Sequence, residues 1–120
     1  MAIRLKRVYE KSGGHDGTRV LIDRMWPRGV RKSDAGVDLW LKEIAPSTLL
    51  RKWFGHDPER WPEFRRRYFR ELDNNEAMVE QLSKMTQEGS VTLVFAARNE
   101  KYNHAVALKE YLAQRAEGGM

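Results

Sequence analysis

The chain has no cysteine. Disulfides, thiolate nucleophiles, iron–sulfur clusters and thiolate zinc sites are therefore excluded. Histidine is scarce, with His15, His56 and His104 alone, and these lack the spacing of a helical metal motif such as His-Glu-x-x-His. No metal site is expected. Long apolar runs are also missing, since nothing approaches the roughly 18 consecutive apolar residues of a membrane-crossing helix. The first residues, Met1 to Arg7, alternate charged with apolar side chains, unlike a secretory signal. A cytoplasmic protein that does not enter the membrane is the expectation. Gly13, Gly14 and Gly17 fit neither a P-loop nor a dinucleotide fingerprint, and there is no Gly-x-Ser-x-Gly elbow. Nothing calls for a cofactor.

What is present is ordinary in bulk. The 120 residues are 41% hydrophobic and 32% charged, enough for one soluble domain with a single core. We assign residues 1–116 to that domain and 117–120 to a flexible tail. Net charge is +5, from 22 Lys and Arg against 17 Asp and Glu. Both signs are interspersed along most of the chain, as on a solubilising surface, though the excess suits an anionic partner.

Periodicity gives the elements. Ile3 to Val8 alternates apolar with basic residues and predicts a half-buried strand near a sheet edge. Thr18 to Arg24 and Val91 to Ala97 are apolar on both faces at their centres and predict two buried, central strands. Asp57-Pro58 is a helix start, and Trp61, Phe64, Tyr68 and Leu72 then recur on one face, predicting a helix over 58–72. Met78, Val79, Leu82 and Met85 mark a second helix ending near Gly89, and Ala105, Leu108, Tyr111 and Leu112 a third. Over 34–54, Leu39-Trp40-Leu41 reads as a short strand or a helical turn, and Pro46-Ser47 opens a short helix through Trp53. The fold class is α/β, a single small domain with a mostly parallel sheet of about three to five strands flanked by helices.

Ligands of open α/β sheets lie beyond the carboxyl ends of the strands. Two segments leave the predicted central strands there, Asp23-Arg24-Met25-Trp26-Pro27-Arg28 and Arg98-Asn99-Glu100-Lys101-Tyr102-Asn103-His104. Guanidinium forks suit phosphate or carboxylate, and an indole gives a flat apolar wall. Asp23, Arg24, Trp26, Arg28, Arg98, Asn99 and Asn103 are the ligand-binding candidates. Arg24, Arg28 and Arg98 are expected around one concavity. The structural alternative is that Asp23 clamps Arg24 or Arg98, Trp26 plugs the core and the asparagines cap a helix. His56 and His104 are the candidates for proton transfer, because imidazole titrates nearest neutrality. His56 could equally be an exposed turn residue beside a cap. Arg65, Arg66, Arg67 and Arg70 form a basic helix face, either a solvated surface balanced by Glu63, Glu71 and Asp73 or a phosphate-backbone contact.

Four stretches carry a resemblance: Arg19 to Gly29, Asp38 to Ser47, Leu50 to Asp57 and Val91 to Ala97, with Asn103-His104-Ala105 beside them. Through them the chain resembles the YeaO-like branch of the family called domain of unknown function 488. The resemblance implies a small α/β cytoplasmic domain and carries no catalytic roles. The residues point to a domain that binds or acts on a small anionic ligand bearing phosphate or carboxylate, with nucleotide-like compounds among the candidates. The alternatives are a nucleic-acid-binding module using the helix at 58–72, or a non-catalytic regulatory interaction domain.

Overall fold

The computed structural model describes residues 3–118. Four strands form one wholly parallel sheet: β1 (Ile3–Arg7), β2 (Thr18–Leu21), β3 (Leu39–Trp40) and β4 (Val91–Phe95). Their spatial order is β1-β4-β2-β3. The two apolar runs occupy the two inner positions, and β4 is buried at every residue. The edges go to β1, whose Arg4 faces solvent, and to the two-residue β3. Charge and brevity both protect a sheet edge from unwanted pairing.

Alternation along the strands divides the interior. Val20, Ile22, Leu93 and Phe95 point to the large core, where helices α2 (Thr48–Phe54), α3 (Trp61–Asp73), α4 (Glu76–Glu88) and α5 (His104–Gly118) bury Phe64, Tyr68, Leu82 and Leu108. Leu21 and Val94 point the other way, into a small core completed by α1 (Lys32–Ala35) and its flanking loops. The short helix α1 lacks any apolar repeat and is ended by Gly36 in the left-handed region (φ 61°). Nothing in the sequence pattern predicts it.

The helix expected over 58–72 begins differently. Pro58–Arg60 is a turn of 3₁₀ helix, and the α-helix starts at Trp61. Pro62 has no N–H to donate to the Pro58 carbonyl, so that oxygen accepts from Trp61 N–H three residues on. α5 runs to Gly118, so the first two residues of the expected tail are helical; 119 and 120 lie outside the described residues. At the amino ends of the strands, Gly17 (φ 65°) packs so closely on the Ser90 backbone that any Cβ there would collide with it.

A charged cluster holds that same end. Arg19, only 3% exposed, donates to Asp16, to the carbonyls of Gly36 and Ala35, and at 3.5 Å to that of Glu10. Lys6, 2.8 Å from Asp16, the Gly13 N–H and Arg19 together hold the Asp16 carboxyl well below the usual carboxylate range. With its donors spent on the loops around β2, Arg19 fixes those loops in place.

Candidate functional site

β2 and β4 are parallel neighbours in register, with Leu21 beside Val94. Past their carboxyl ends the chain diverges, from β2 toward α1 and the small core, from β4 into α5 and the large one. A crevice opens at such a point because no connection fills it. Here it is a cavity of about 810 Å³.

Asp23 and Arg24 reach it from β2, Arg98 and His104 from the segment after β4, and Arg51 and Lys52 from α2. The Asp23 carboxylate closes the seam between the strands: Oδ2 accepts the Ala96 N–H at 3.0 Å, and Oδ1 lies 2.7 Å from His104 Nε2. The ring N–H does not point along that line, and by direction neither atom has a hydrogen-bond partner. At that separation the two side chains are in polar contact. Both atoms are sealed from the cavity. Asp23 therefore pairs with His104 and not with Arg24 or Arg98, and the pair ties α5 to the end of β2.

Arg24 is preset by the opposite rim. Its guanidinium donates to the carbonyls of Ala45 (3.0 Å) and Pro46 (3.3 Å). That rim is held in turn: the Tyr68 hydroxyl donates to the Ile44 carbonyl, Asn75 Nδ2 to that of Glu43, and Glu71 accepts from Ser47 N–H and hydroxyl. Burial beneath the rim pushes the Tyr68 phenol far above its ordinary value, which keeps it a donor. Ser47 then caps α2 by accepting from Leu50 N–H. Glu71, expected to balance the arginines of its own helix, instead fixes the entry to α2.

Electrostatically the cavity is lopsided. Four permanent cations line it, and among the described residues none has a carboxylate within 4.0 Å. Several arginines elsewhere hold carboxylates. Arg65 is bonded to Glu110, and Arg66 and Arg67 share Glu63, whose carboxyl they hold down to about 2. Most of the remaining wall is apolar, with Phe54, Phe64 and Tyr102 backed by Trp61. Among the described residues, no group of three or more His, Asp or Glu is placed to hold a metal.

Of the candidates named from sequence, Asp23, Arg24, Arg98, Asn99, Asn103, His56 and His104 line the cavity, and Trp26 and Arg28 do not. Trp26 turns onto the opposite sheet face, where it donates to the Val30 carbonyl and meets Trp40 edge to face at 5.5 Å. Arg28 sits exposed in a turn. The expected convergence of three arginines is thus corrected: Arg24 and Arg98 line the same cavity, and Arg28 stays outside. Asn99 and Asn103 spend their side chains on the loop, Asn99 accepting from Tyr102 N–H and Asn103 capping α5 through Val106 N–H. His56 lies on the lip in the left-handed region (φ 58°), tilted against Phe54. Sequence reasoning missed Arg51 and Lys52. The clue was present, since Leu50 and Phe54 are four apart on the buried face and turn the intervening cations outward.

The profile described as "Inactive DUF488-N3 subclade" matches residues 2–119. The chain belongs to the DUF488 family. It is 46% identical over 113 residues to the uncharacterized protein Rv3073c of Mycobacterium tuberculosis, covering 94% of this chain and 95% of that one. It is 41% identical over 112 residues to the uncharacterized protein YeaO of Escherichia coli, covering 93% and 97%. No solved structure matches. Among the described residues of this DUF488 domain, no helix is long and apolar enough to cross a membrane.

Proposed function

We propose that this DUF488 domain is a receptor for a small anionic ligand, phosphate- or carboxylate-bearing, held in the cavity beyond β2 and β4. The observation that carries the reading is the set of four cations, Arg24, Arg51, Lys52 and Arg98, that line one cavity without carboxylate partners, where Arg65, Arg66 and Arg67 on α3 have theirs. Unpaired cations crowded around an apolar hollow repel one another, and an anion relieves that repulsion. The description of the subclade as inactive favours binding over turnover. So does the sealed contact between His104 Nε2 and Asp23, which removes that nitrogen from proton exchange with a ligand. His56 is the one imidazole left exposed at the lip.

The arginine face of α3 supports a nucleic-acid interface less well, because Arg65, Arg66 and Arg67 already hold Glu110 and Glu63. Calorimetric titration with inorganic phosphate, sulfate and acetate tests the proposal. Arg24→Ala and Arg98→Ala should each weaken the best of these about tenfold or more, the effect of losing one charge-assisted hydrogen bond. Unchanged affinity in the double variant, or no binding of any of the three anions, would overturn it.

A further inference from the structure

A bare oxyanion has no use for most of this cavity. Its cations stand at the ends of the strands and on α2, whereas most of the remaining wall is apolar, with Phe54, Phe64, Tyr102, Pro46 and Ala97 in it. Apolar surface becomes favourable only when a ligand's apolar surface covers it. The occupant therefore has a charged head and an apolar body. Its body is flat, because three phenyl rings, Phe54, Phe64 and Tyr102, line the cavity with Trp61 packed behind them. Phe54 and Phe64 stack at 4.3 Å and 23°, Trp61 lies over Phe64 at 5.7 Å and 27°, and Tyr102 follows at 5.5 Å from Trp61. Of the three phenyl rings that line the cavity Tyr102 is the partly exposed one, with Lys101 Nζ 5.3 Å from its centroid, and so the one within reach of a ligand's ring. Its head carries more than one charge, since four cations face a single carboxylate, Asp23, which is already engaged. A carboxylate offsets one cation; a phosphomonoester, close to doubly ionised at neutral pH, offsets nearly two. A volume of about 810 Å³ holds both parts.

We infer that the ligand is a phosphomonoester of a planar ring, the chemistry of a nucleoside monophosphate, with the phosphate among Arg24, Arg51 and Arg98 and the ring against Tyr102. This rests on the anion-receptor reading and goes one step further. The test compares four probes by calorimetry: inorganic phosphate, phenyl phosphate, cyclohexyl phosphate and adenosine 5′-monophosphate. Phenyl phosphate and the nucleotide should bind about tenfold or more tighter than inorganic phosphate, as expected for covering one ring face. Tyr102→Ala should erase that gain and leave inorganic phosphate unaffected, and Tyr102→Phe should keep it. Should inorganic and phenyl phosphate bind equally, the inference falls and the anion receptor stands. Equal affinity for phenyl and cyclohexyl phosphate removes the flat body. If no phosphate binds but acetate or sulfate does, the inference falls and the anion receptor stands; if none of these anions binds, both readings fall together.

Discussion

Arginines in this domain have three distinct fates. Arg19 is enclosed and saturated by one carboxylate and three carbonyls; Arg24 spends two nitrogens on the rim carbonyls and keeps Nη1 uncommitted among the described residues; Arg28 is exposed. Replacement should separate them. Arg28→Ala is expected to change stability by no more than about 0.5 kcal/mol, as for a surface change, and to leave phosphate affinity alone. Arg19→Ala strands Asp16 and the loop carbonyls, so its urea midpoint should drop well below that of the parent while Arg24→Ala moves it little. A parent-like midpoint for Arg19→Ala would falsify the view of that residue as the clamp of the amino-end loops. None of this was legible at the residues themselves. Partners of Arg19 lie up to 17 positions away, and those of Arg24 21 and 22, so the sequence shows the guanidinium and hides its acceptors. Asp23 likewise read as a partner for nearby arginines, and its partner came instead from His104, beyond β4.

Elements were easier to read, because burial leaves a period. The apolar runs of β2 and β4 and the Phe64, Tyr68, Leu72 stripe of α3 each predicted their positions, and the charged β1 its edge. What failed lay where a backbone group decides, as at Pro62, or where no period exists, as in α1. The seam between α3 and α5 makes a pH prediction. Along it Arg65 bonds Glu110, Phe69 meets Tyr111 edge to face, and the Tyr111 hydroxyl donates to Asp73 at 2.8 Å. Burial, and then the Asp73 carboxylate, push the Tyr111 phenol up from 10.0 to about 12. The folded value is above the unfolded one, so this contribution is whole below pH 10 and drains away as pH rises toward about 12. Tyr68, raised further by burial, acts in the same direction. Thermal melts across that range should show a steep alkaline decline that Tyr111→Phe makes shallower. A variant whose decline matches the parent throughout would remove Tyr111 from the account.

For the molecule entire, a net charge of +5 is less telling than where it is left unmatched. On α3, Arg65, Arg66 and Arg67 are held by carboxylates, whereas four cations without one share the lining of a single cavity. Oligonucleotides should accordingly bind weakly, with a log–log salt slope no steeper than about −2, or two phosphates, given about −0.9 per phosphate on duplex DNA. Changing Arg65, Arg66, Arg67 and Arg70 together to Gln should alter it little. A steep slope abolished by those four changes would move the functional surface to α3.

The strand order also bears on how the chain comes into being. β4 is the last strand to leave the ribosome, yet Val91 is the neighbour of both Ile3 and Thr18. Before it emerges, the only strand pairing open to the nascent chain is the short one between Val20-Leu21 and Leu39-Trp40. The central pairings of the sheet therefore wait until β4 inserts between strands made long before. Such non-local closure is slow and exposes the waiting segments to aggregation. Any break in synthesis ahead of Val91 yields a polypeptide missing the middle of its sheet, which makes this small domain an all-or-nothing product of translation.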